Sequence, residues 1–176
     1  IFFRKDKFGT ELNIGAKKIV NHFEDLKNSL SAISKLSDIK FERKIPIYTV
    51  NDSPKKVANL IRNFLYPEDF SPVLRDFLKQ LISKFAENNI LVFEFIETWN
   101  KKDIANINGF YLKPNVIVLK RQQKSFRREI FTLIHELGHY LLNEEETLNF
   151  LKDYEIKHVC SFRPNVCAGF IKSDIS

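Results

Sequence analysis

No apolar run in this chain of 176 residues approaches the roughly 20 residues that cross a bilayer, which argues against a membrane-spanning helix. The opening Ile1-Phe2-Phe3 turns charged at once and does not read as a secretory signal. Cysteine is scarce. Cys160 and Cys167, with six residues between them, make neither a disulfide framework nor a familiar zinc spacing, and both are expected to be free thiols in a reducing cytoplasm. Met is absent and the first residue is Ile1, so the sequence is expected to be a fragment or a processed chain with neighbouring domains outside it. Glycine occupies only five positions against seventeen for Phe, which points to cores filled by large rings. Internal repeats and low-complexity tracts are missing. The net charge is +6 with a pI near 9.2. Basic runs are short, as at Lys120-Arg121 and Arg127-Arg128, and are interspersed with acids. A basic stripe on one face is the usual footprint of nucleic-acid binding, so direct binding by this segment is only weakly suggested.

Histidine is also rare, yet two of the four stand in His135-Glu136-Leu137-Gly138-His139. This is the H-E-x-x-H pattern. On a helix its imidazoles sit four residues apart on one face and can chelate one metal ion. Glu136 between them is placed to take a proton from water that the ion activates. Apolar residues at Phe126, Ile130, Leu133, Ile134, Leu137 and Leu141 keep the spacing of a buried helix over 126–142. Ser125 is its expected N-cap. Phe131 and Leu142 flank the histidines and would keep that side partly dry. Gly138 costs up to about 1 kcal/mol relative to Ala inside a helix, so packing beside a metal is one reason for it to stand there. The plain alternative is a pair of ordinary helix histidines, which the adjacent Glu and the apolar setting disfavour.

Upstream, residues 14–35 read as a helix through Ile14, Ile19, Phe23, Leu26, Leu30 and Ile33, with His22 at the surface and a polar linker to Lys44. Residues 45–50 read as a short edge strand, since Pro46 removes a ladder donor. Ser53-Pro54 starts a helix through Val57, Leu60, Ile61, Phe64 and Leu65. Ser71-Pro72 repeats the device for a helix ending near Asn88-Asn89. Residues 90–96 are a nearly continuous apolar run, read as a central strand. Residues 107–112 and 116–119 are two more strands joined at Lys113-Pro114-Asn115 as a hairpin. The order gives an α+β class: a small three-stranded mixed or antiparallel sheet packed on helices, with a helical N-terminal region. Residues 1–44 form the N-terminal helical segment and linker, and 45–176 the catalytic domain. A sheet edge beside the metal helix can hold an extended peptide by backbone pairing.

Three stretches carry a family resemblance. They are Asn108-Gly109-Phe110-Tyr111-Leu112, then Pro114 to Leu119, then Arg128-Glu129-Ile130-Phe131-Thr132-Leu133-Ile134-His135-Glu136-Leu137-Gly138-His139-Tyr140-Leu141-Leu142. Together they resemble the ImmA/IrrE family of bacterial and phage metallopeptidases over about 50–145. The resemblance implies a minimal zincin-like fold and a Zn2+ cofactor. It implies a cytoplasmic enzyme that cleaves a partner transcriptional repressor in stress response or prophage control. It also implies relatives with an N-terminal helix-turn-helix domain, a motif not visible here.

In that family a downstream Glu completes the metal site. The corresponding position here holds Ser161, and Arg163-Pro164 interrupts the helix expected there. A hydroxyl is a poor zinc ligand. Glu155, 16 residues after His139, is the favoured third ligand beside His135 and His139. Asp153 and His158 stay open, as do Tyr140, Tyr154 and His158 for oxyanion stabilisation, with packing the preferred role for Tyr140. Glu136 is the expected catalytic base. The reading is therefore a zinc metallopeptidase. Its alternative is a zincin-like regulatory, protein-binding module that lacks a complete zinc site.

Overall fold

Phe110, Leu112, Val116 and Val118 alternate along two strands with Tyr111, Ile117 and Leu119, and every one of these side chains is buried. A strand apolar on both faces needs cover on both. The computed structural model describes residues 12–96, 104–121 and 125–144, and it supplies that cover. Helices α1 (Ile14–Leu36), α2 (Pro54–Leu65) and α3 (Leu74–Glu87) are followed by β1 (Leu91–Phe95), β2 (Gly109–Leu112), β3 (Val116–Lys120) and α4 (Phe126–Leu142). The first set of residues meets Ala16, Val20 and Phe23 of α1. The second set meets α2, α3 and α4. The result is an α+β fold in three layers, with a mixed sheet between α1 and the other helices.

The strand order is β1-β3-β2. β3 pairs in parallel with β1, Phe93 opposite Val118, and antiparallel with β2, Tyr111 opposite Ile117. The expected hairpin is present, with a cis peptide bond between Lys113 and Pro114. Its Asn115 side chain donates to the carbonyl of Asn89 at 2.7 Å. The middle of the sheet belongs to β3. The run at 90–96, expected as the central strand, is the edge strand β1, whose side chains are half-buried apart from the exposed Glu94.

Four further expectations change. Residues 45–50 form no strand. Pro46 has no donor, and the chain instead crosses the end of α4, where the Tyr48 amide donates to the Leu141 carbonyl at 2.9 Å. Ser71 does not cap α3. Its hydroxyl accepts from the Val73 amide at 3.2 Å in a tight turn, and Val73 is the residue that enters the helix. β2 begins at Gly109, not at residue 107, although Ile107 is buried in the same core as α1. In α1 the buried line runs through Ala16, Val20 and Phe23, while Ile14 and Ile33 face outward.

Helix α4 occupies the expected span, 126–142. Ser125 adopts an extended cap conformation and its side chain accepts from the Arg128 amide, which serves one of the orphan donors of the first turn. Leu133, Ile134, Leu137 and Leu141 are fully buried. Burial of each contributes about 1.5–3 kcal/mol, so packing against the sheet holds this helix more than intrinsic propensity does. The helix ends at Asn143 in the left-handed region, with φ at 52°, a conformation that Asn tolerates well.

Candidate metal centre

Four residues per helical step carry His135 and His139 to the same side of α4. His139 is fully buried and His135 half-buried. Their ring centroids lie 5.3 Å apart with planes inclined at 76°. That spacing can be tested against a shared ion. A zinc–nitrogen distance of about 2.0–2.1 Å plus a ring radius of about 1.1 Å puts each centroid about 3.2 Å from the metal, and a tetrahedral angle then separates the centroids by about 5.2 Å. The observed centroid separation matches that value. Phe131, one turn earlier, stacks on His135 with centroids 6.4 Å apart and planes at 16°, so the half-exposed imidazole has an apolar backing.

Glu136 is fully buried on the side of α4 that faces β2. The edge strand runs close here because its first residue is Gly109, and a Cβ at that position would stand 3.2 Å from the Glu136 Cγ. Thr132, one turn before, donates from its hydroxyl to the Arg128 carbonyl at 2.9 Å. The backbone at Gly109 therefore lies against the Glu136 arm, and the room a side chain would take at 109 is left open. The sequence signal for this was a glycine inside a strand pattern, which marks close backbone approach. The alternation alone does not reveal what approaches.

Tyr140 points away from the imidazole side, into the core. Its ring meets Tyr111 edge-on at 5.9 Å and lies under the Arg43 guanidinium, 3.7 Å from its centroid. Burial raises its phenol above the ordinary 10.0, opposed by the Arg43 charge and by a backbone bond from Ile45. The packing role favoured for Tyr140 is the one found. Arg43 itself was not singled out by sequence. It donates to the Tyr140 carbonyl at 2.6 Å and to the Ile45 carbonyl at 2.7 Å, so a cation sits at the negative end of the helix dipole. At the other end Arg121 lies 2.9 Å from the Glu129 carboxylate in the first turn of α4 and also pairs with Glu94 of β1.

Glu155, Asp153, His158 and Tyr154 lie outside the described residues, as do Ser161, Cys160 and Cys167. Among the described residues no group of three or more His, Cys, Asp or Glu side chains is arranged to hold a metal ion. Two of the three expected ligands, His135 and His139, are thus brought together. Among the described residues, too, no helix is long and apolar enough to cross a membrane.

Comparison with known proteins was made on this basis. No curated protein and no solved structure was found to match the chain. Residues 87–160 match the family model described as Peptidase_M78, the IrrE N-terminal-like domain. The match runs from the last residue of α3 through the whole sheet and α4, so it contains both histidines and Glu136. Over this part of its length the chain is similar to a peptidase family that is generally zinc-dependent, and the similarity supports a metallopeptidase-like domain in line with the ImmA/IrrE resemblance.

Proposed function

We propose that this chain is a zinc-dependent endopeptidase. The observation that carries the reading is the pair of imidazoles, with ring centroids 5.3 Å apart on one helix, and the buried Glu136 next to them in the chain. His135 and His139 would hold the ion. Glu155 is the favoured third ligand, since catalytic zinc usually takes three protein ligands with a carboxylate in this class. Zinc, when bound, polarises a peptide carbonyl and brings the pKa of water down towards ~7. Glu136 accepts the proton that the attacking water gives up as its oxygen bonds to the carbonyl carbon. Glu136 then delivers that proton to the amide nitrogen as the C–N bond breaks, because an amine anion is a poor leaving group. General acid–base help of this kind is typically worth about 10²–10⁴ in rate. Burial keeps the Glu136 arm away from bulk water, and the ring of Phe131 stacks on the half-exposed His135.

The substrate class follows from the resemblance: a partner regulatory protein of the repressor type, in the cytoplasm, cut in transcription regulation or stress response. A second reading rests on Ser161, which stands where relatives place their Glu. It makes the domain a regulatory, protein-binding module without a complete zinc site. Elemental analysis of the purified chain after exhaustive dialysis separates the two. About one zinc per chain, lost on His139→Ala, supports the peptidase. No retained zinc favours the regulatory module.

A further inference from the structure

Gly109 stands where the edge strand β2 lies close against α4. A Cβ placed there would lie 2.7 Å from the Thr132 Cγ2, 3.1 Å from the Val118 carbonyl oxygen and 3.2 Å from the Glu136 Cγ. Carbon atoms pack best at about 3.5–4.0 Å, so both carbon contacts are too close. The three neighbours differ in how they can give way. Val118 is backbone of the central strand β3, held on both sides by β1 and β2. Thr132 is β-branched and stiff about χ1, and its hydroxyl is tied to the Arg128 carbonyl at 2.9 Å. The Glu136 side chain is the longest and most flexible of the three.

We propose that Gly109 is a positioning residue for Glu136. The missing side chain lets β2 lie against α4 closely enough to seat the Glu136 arm along the strand, and this fixes the course of that arm. The inference rests on the reading of Glu136 as the proton-transferring group. The packing it requires is nevertheless testable on its own.

Thr132→Ser separates the positioning role from a merely structural one, because it removes the Cγ2 that lies at 2.7 Å and keeps the hydroxyl. Gly109→Ala alone is expected to lower the melting temperature by about 3–10 °C through overpacking. Gly109→Ala with Thr132→Ser is expected to recover most of that loss, while the contact with Glu136 remains. The readout is the carboxyl 13C resonance of Glu136 in the full chain labelled at glutamate Cδ, assigned by its loss in Glu136→Gln. In the double variant this resonance should move by more than its linewidth, whereas in Thr132→Ser alone it should stay at the wild-type position. An unmoved resonance in a folded double variant overturns the proposal. If the double variant does not fold, Glu136→Ala is added. Recovery of a cooperative melt then supports contact between positions 109 and 136, and failure to recover overturns it. All of this is read on the metal-free chain, so an absence of bound zinc would count against the peptidase reading and leave the packing result standing.

Discussion

Truncating Arg43 to Ala should cost far more than its half-exposed position suggests. The guanidinium makes two charge-assisted hydrogen bonds, to the Tyr140 carbonyl at 2.6 Å and the Ile45 carbonyl at 2.7 Å. Such bonds are worth about 1.5–3 kcal/mol each. It also lies 3.7 Å above the centroid of Tyr140, worth about 0.5–2 kcal/mol. These contributions overlap and part of the side chain meets water, so the low ends are appropriate. The expected loss is about 3 kcal/mol, or about 6–12 °C in melting temperature for a chain of this length. Urea unfolding with an unchanged m-value is the suitable assay, because it reports stability at fixed exposure of surface. Arg43→Lys keeps the charge but not the planar fork that bonds two carbonyls while covering a ring, and should recover less than half of the loss. A loss under about 1 kcal/mol for Arg43→Ala would place the residue with ordinary surface cations and refute the argument.

On the proposed reading, Glu136→Gln should leave zinc content as in the wild type and abolish cleavage of a repressor-type protein; normal cleavage by this variant would remove Glu136 from the mechanism. Leu133→Ala, in the fully buried face of α4, should lose about 2–5 kcal/mol in chemical denaturation. Alkaline stability should fall because the Tyr140 phenol is raised in the folded chain, chiefly by burial. The unfolded phenol ionises first, so the stabilisation is complete below pH 10 and is lost as pH rises through the higher folded value. Tyr140→Phe should flatten that decline in denaturation series run above and below pH 10.

Helix α4 was legible to the residue because several independent signals agree on it. Ser125 caps it, the apolar spacing holds without a break, and the chain after Leu142 turns acidic. The hairpin at Lys113-Pro114-Asn115 was legible for the same reason. The identity of the central strand was not, because residues 91–95 and 116–120 are both apolar runs. Which one lies in the middle depends on β3 pairing with both neighbours, a property of the assembled sheet. Residues 45–50 have the composition of a strand, yet the Tyr48 amide is satisfied by the end of a helix, a partner about ninety positions away. Arg43 was hidden by the same distance. In the candidate centre helical periodicity alone brings His135 and His139 together, and Glu136 stands next to them in the chain. Gly109 comes into view only when the strand that carries it is laid across the helix.

Both ends of α4 are held by arginines from elsewhere in the chain, Arg121 at the first turn and Arg43 at the last. The helix is thus pinned lengthwise as well as packed sideways. A slide of one residue along its axis would break both attachments and carry both imidazoles off their present height above the sheet. The helix that carries both histidines is therefore held by attachments of its own. Small zinc domains fold only around their metal; on the proposed reading an ion bound here would meet a helix already fixed, and chelation should leave the far-ultraviolet helical signal unchanged.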